Sequence, residues 1–138
     1  MAEFRSPEWT AMTQGVRVTV RTYYLADRSE PERSHYAWAY RVTIANEGRR
    51  TVQLLKRSWL ITDGQGRIQR VHGEGVVGEK PVLEPGEAFE YTSGTPLATP
   101  SGFMRGTYHM VVPATGEAFD VEIPVFSLDS PHQPNAVH

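Results

Sequence analysis

Three glycines stand in a G-x-G-x-x-G spacing at Gly73, Gly75 and Gly78, with Lys80 two residues further on. That spacing serves phosphate chemistry in two ways. In a dinucleotide fold the glycines make a tight turn from a strand into a helix, and the helix N-terminus holds the pyrophosphate. Without a helix, successive N–H groups of a glycine loop form a concave anion nest. The first version lacks its context, because Pro81 and the Pro85-Gly86 turn interrupt the segment where the helix would run. A Walker A loop is absent too, since Lys80 neither follows a glycine nor precedes Ser or Thr. The nest remains as a candidate pyrophosphate or nucleotide site, formed by Gly73, Gly75, Gly78 and Lys80 with Arg57 or Arg70 nearby. Glycines at a strand end also permit left-handed backbone and close strand approach, and that structural reading is the stronger of the two.

Other reactive side chains are present without a pattern. The five histidines are His35, His72, His109, His132 and His138, and none is paired at the helical spacing of a zinc protease. His72 with Glu74, joined by His109 from another strand, sketches a metal site, but surface histidines on strands are the better reading, so no metal ligand is assigned. No serine lies in a G-x-S-x-G elbow. Glu84, Glu87 and Glu90 surround a turn and read as solvated carboxylates. Arg49, Arg50, Lys56 and Arg57 make a small basic cluster, read as a solvated strand face. The absence of cysteine removes disulfides, thiol nucleophiles and thiolate metal sites, and suits a reducing compartment. The expectation is a protein with no catalytic residues and no cofactor.

The elements that would position these residues are all strands. Val16, Val18, Val20, Thr22 and Tyr24 alternate with polar residues, as do Tyr36, Trp38, Tyr40, Val42 and Ile44. This is the period of two of half-buried strands. Val52 to Thr62 is a further strand whose imperfect alternation suggests a bulge. Asp63-Gly64-Gln65-Gly66 turns it into a short strand over Arg67 to Val71. Glu87 to Ser93 alternates next; Gly94 to Arg105, with two prolines, reads as a loop. Strands around Tyr108 to Val112 and Phe119 to Val125 are joined by a turn at Ala114-Thr115-Gly116. Seven to eight antiparallel strands with no helical period define an all-β chain, an immunoglobulin- or fibronectin-III-like β-sandwich. The 138 residues fit one domain, expected over residues 15–135 behind a flexible leader over 1–14. That leader has no apolar run, so the expectation is a cytoplasmic protein with no membrane partner. A net charge of −2 provides no basic field for nucleic acid.

Several motifs together resemble one family. The run Leu54-Leu55-Lys56-Arg57-Ser58-Trp59-Leu60-Ile61-Thr62-Asp63 is similar to the ApaG signature LL-x-R-x-W-x-I-T-D. It continues in order through Val71 to Gly94, through Gly102-x-Met104-x-Gly106-x-Tyr108-x-Met110, and through Ile123-Pro124-x-Phe126-x-Leu128. One departure is Ser58, where a histidine is common before the tryptophan. The resemblance implies a fibronectin-III-like sandwich and no enzymatic activity. It implies an association with cobalt resistance and magnesium efflux, a protein-interaction role like that of ApaG-like domains in an F-box protein and a polymerase-interacting protein, and a pyrophosphate role suggested for the glycine motif. The expected function is therefore a non-enzymatic interaction module for a protein partner, contacted through Phe103 and Met104 at one end of the sandwich. A pyrophosphate or nucleotide binder is the alternative, and a homodimer through an exposed sheet edge is a further expectation.

Overall fold

Tyr36–Asn46 buries every second residue from Tyr36 to Asn46, and the rest of one sheet is laid against it. The computed structural model describes residues 7–132. Nine strands follow in order: β1 (Glu8–Thr13), β2 (Val16–Tyr24), β3 (Tyr36–Asn46), β4 (Val52–Asp63), β5 (Ile68–Glu74), β6 (Val82–Leu83), β7 (Ala88–Leu97), β8 (Ser101–Val112) and β9 (Glu117–Asp129). They form two antiparallel sheets, β1-β2-β3-β7 and β5-β4-β8-β9, with β6 on the end of β4. The expected β-sandwich is therefore the architecture observed.

The core lies between the sheets. From the first come Val18, Val20, Trp38, Val42 and Ile44; from the second come Leu54, Met104, Tyr108, Ile123 and Phe126. Trp59 is the central aromatic. Its ring lies 5.5 Å from that of Tyr40 across the sheets, at 65°, and 5.9 Å from that of Phe126, at 90°. These are the edge-to-face geometries that the ring quadrupole favours.

Two bulges keep the apolar residues on that core. Leu54 and Trp59 are both buried although five positions separate them, which an unbroken strand would place on opposite faces. The register slips between Leu54 and Lys56, so Leu55 is an extra residue and the parity is restored. On β9, Ile123 and Phe126 show the same parity break, and the slip opposite Met104 and Gly106 falls at Pro124 and Val125. A proline, lacking an N–H, is at home in such a bulge.

Two expectations need correction. Glu8–Thr13, inside the expected leader, is strand β1, paired with β2 from Glu8↔Arg21 to Thr13↔Val16. Its alternation is real but faint, because only Trp9 is a large buried-face residue; the Trp9 ring lies 6.0 Å from that of Phe126. The Gly94 to Arg105 segment is not a loop: β7 continues to Leu97 and β8 begins at Ser101. Pro96 misled the reading; β7 ends its sheet, and an edge strand tolerates a proline.

Candidate functional site

The glycine stretch folds into a closed hairpin. Val76 N–H donates to Glu79 O and Glu79 N–H to Val76 O, both at 2.8 Å. Between them Val77 (φ 43°) and Gly78 (φ 81°) both take left-handed backbone. Two such residues in a two-residue loop make a type I′ turn. Gly75, at φ 61°, lets the hairpin close: a Cβ there would lie 2.3 Å from Glu79 O. Its N–H donates to Leu55 O at 2.8 Å. Arg57 Nη1 donates to Glu74 O at 3.0 Å and Gly75 O at 2.8 Å, and its guanidinium fills the space where a Gly73 side chain would stand. Lys80 Nζ donates to Glu74 Oε1 at 2.8 Å, which holds the Glu74 carboxyl below its ordinary range. Each glycine other than Gly78 thus has a steric task in the hairpin. The N–H groups of Gly75, Val76 and Glu79 are spent inside the chain.

Phe103 and Met104 point in opposite directions, as neighbours on a strand must. Phe103 is 42% exposed, and Met104 is 1% exposed within the core. Met104 is therefore no surface anchor. Phe103 pairs through Thr62 with Ile68, which is 59% exposed. The three stand on the outer face of the five-stranded sheet.

That outer face carries the remaining chemistry, in rungs set by the register. Beyond the Phe103 rung, Leu60 lies between Arg70 and Arg105. In the next rung Ser58 lies between His72 and Thr107, and Thr107 pairs with Glu122. Then His109 pairs with Asp120. Arg70, Arg105, Ser58, Thr107, Glu122 and Thr13 line an open cleft of about 620 Å³. Along its edge, where Ser58 and His72 also border a second hollow lined by His109, runs a chain of hydrogen bonds: His72 Nδ1 to Ser58 Oγ at 3.0 Å, Ser58 Oγ to His109 Nε2 at 2.8 Å, and His109 Nδ1 to Asp120 Oδ1 at 2.9 Å. His72 and His109 do come together, as the metal sketch required, but around a hydroxyl, while Glu74 turns to Lys80. No three His, Asp or Glu side chains are grouped to hold a metal among the described residues.

The two outer faces of the sandwich differ in how their arginines are paired. On the β1-β2-β3-β7 sheet each outward arginine meets a carboxylate: Arg17–Glu47 at 2.8 Å, Arg21–Glu8 at 2.6 Å and Arg41–Glu90 at 2.9 Å. On the other sheet Arg70 and Arg105 have no carboxylate partner among the described residues, and both face the cleft.

A two-sheet all-β sandwich with the glycine hairpin between β5 and β6 is thus the class of protein defined. The ApaG domain family model matches residues 26–112, and the chain belongs to the ApaG family. It is 64% identical over 124 residues to Protein ApaG of Rhodospirillum centenum, covering 90% of this chain and 95% of that one. It is 60% identical over 125 residues to Protein ApaG of Paramagnetospirillum magneticum, covering 91% and 95%. Among solved structures, the ApaA protein from Bordetella pertussis superposes with a TM-score of 0.82 at 48% identity, covering 86% of this chain and 95% of that one.

Proposed function

We propose that this ApaG-family chain is a non-enzymatic protein-interaction module that docks its partner on the outer face of the β5-β4-β8-β9 sheet. The observation that carries this reading is the contrast between the two faces. One face neutralises its own arginines. The other leaves Arg70 and Arg105 unpaired among the described residues, beside exposed Phe103 and Ile68. An aromatic anchor next to guanidinium groups is the composition of an interface hot spot. The matching partner is a peptide segment that presents apolar side chains to Phe103 and Ile68 and carboxylates to the two arginines. Planar guanidinium groups bind carboxylates in a bidentate fork. The association of the family with cobalt and magnesium is then exerted through such a partner. Capture from a cell lysate on immobilised protein tests the reading. Specific partners should be lost with Phe103→Ala and with the Arg70→Glu/Arg105→Glu pair, and kept with Arg41→Glu. An unchanged set of partners across all variants would defeat it.

A second reading, binding of pyrophosphate or a nucleotide, is supported by the same two arginines more than by the loop of Gly73, Gly75, Gly78 and Lys80. The loop has committed the amides of Gly75, Val76 and Glu79 within the chain, and its lysine is paired with Glu74. Calorimetry with pyrophosphate and ATP separates the two sources: binding abolished by Arg105→Glu belongs to the cleft, and binding abolished by Lys80→Ala belongs to the loop.

A further inference from the structure

We propose that Ser58 is a nucleophile that takes up an acyl group from an acyl phosphate, with His109 as its general base. A nucleophilic Ser58 requires one set of hydrogen-bond directions, and the donor inventory allows it. Ionised Asp120 only accepts, so His109 Nδ1 carries the proton in their 2.9 Å bond. With His109 as the neutral Nδ1–H tautomer, Nε2 is a bare lone pair 2.8 Å from Ser58 Oγ, and the hydroxyl donates to it. The hydroxyl's one proton is thereby committed, so His72 Nδ1–H donates to Oγ at 3.0 Å. One lone pair of Oγ remains for attack, in the cleft. Serine hydroxyl to Nε2, and Nδ1 to carboxylate, is the atom order by which serine hydrolases activate their nucleophile. The register of β4, β8 and β9 holds the three groups in line.

The surroundings select the donor. Ser58 lies on a strand paired on both sides, so neighbouring main-chain N–H groups serve the ladder and do not form an oxyanion hole. The cleft has Arg70 and Arg105 instead. Guanidinium groups suit a donor whose leaving group is phosphate, an anion that departs without needing a proton. In the step, the bond from Oγ to the acyl carbon forms and the bond from that carbon to the phosphate oxygen breaks. The electron pair leaves with the phosphate, and the Oγ proton passes to His109 Nε2 and on to solvent. The product is an O-acyl serine. Hydrolysis of the ester would have to expel the serine alkoxide, a poorer leaving group than phosphate and one that gives the two arginines no phosphate to hold, so the ester persists and each chain accepts one acyl group.

The test is incubation with acetyl phosphate, followed by intact mass and peptide mapping. Hydroxylamine treatment separates esters from the amides formed on lysines. One hydroxylamine-labile acetyl group on Ser58 is expected, formed roughly 100-fold more slowly in His109→Ala, the range of a lost general base. Asp120 acts as a positioning residue, so Asp120→Asn should slow labelling and Asp120→Glu should restore it while melting temperatures stay equal. Acetyl found on the wild-type chain only as hydroxylamine-stable amide would overturn the proposal, and that result needs no variant to fold. Ser58 labelled equally fast with and without His109 would overturn it as well.

Discussion

Val77 is the most strained residue of the glycine hairpin. It is β-branched, more than half exposed, and held at φ 43°. A left-handed backbone costs such a residue about 1–2 kcal/mol, and asparagine is the preferred first residue of a type I′ turn before glycine. Val77→Asn should therefore raise stability by about 1 kcal/mol in chemical denaturation. Gly75→Ala should act in the other direction, because the new Cβ meets Glu79 O in addition to the left-handed penalty. A loss of at least about 2 kcal/mol is expected, with pyrophosphate titration unchanged below the melting transition. Lost pyrophosphate binding with an intact fold would instead mean that the loop backbone contacts the ligand. At Phe103 and Met104 the pair of alanine substitutions should split. Met104→Ala should cost about 2–5 kcal/mol from the cavity it leaves, and Phe103→Ala should cost little stability while weakening partner capture. The sequence placed both residues on the surface because it read their segment as a loop. Strand parity, once β8 is extended back to Ser101, assigns them opposite faces.

At the scale of elements, β1 makes a prediction that the leader reading would not. It pairs with β2 in the first sheet, and its Thr13 Oγ1 accepts from Glu122 N–H of β9 in the second at 3.1 Å. A chain lacking residues 1–13 should melt at a clearly lower temperature; an unchanged melt would make β1 dispensable. The three buried phenols between β3, β7 and β8 give a second expectation. Burial raises the pKa of Tyr40, Tyr91 and Tyr108, and the hydroxyls of Tyr91 and Tyr108 are hydrogen-bonded to each other. A group with a raised folded pKa contributes stability fully below its unfolded value and loses it as pH rises beyond. Denaturant midpoints should therefore hold up to about pH 10, the ordinary tyrosine value, and fall above it. Tyr91→Phe/Tyr108→Phe should flatten that fall. Much of the element layout was legible in residue types. The β4 bulge appeared as broken alternation, and both hairpin turns flanking the site were visible. Counting back from Asp63-Gly64-Gln65-Gly66 aligns Ser58 with His72, and counting back from Ala114-Thr115-Gly116 aligns His109 with Asp120. The pairing of β4 with β8 joins those two halves. It brings together Ser58 and His109, 51 positions apart in the chain, and is set by the whole core, so the four-residue chain could not be read locally.

At the scale of the whole molecule, the sandwich has one outer face whose arginines are paired with carboxylates and one that leaves Arg70 and Arg105 unpaired among the described residues, beside exposed Phe103. Surface ion pairs such as Arg17–Glu47 contribute little stability, so their effect is to leave that face with little charge to offer. The interaction proposed for the other face is correspondingly salt-sensitive, because exposed charges are screened within about 10 Å at 0.1 M salt. The most direct measurement is a backbone and side-chain NMR map of the isotope-labelled protein titrated with a captured partner segment. Shifts are predicted at Leu60, Ile68, Arg70, Phe103 and Arg105, with Thr19, Arg41 and Glu90 on the opposite face unmoved. Shifts confined to that opposite face, or to Val77 and Gly78 at the hairpin tip, would contradict the account.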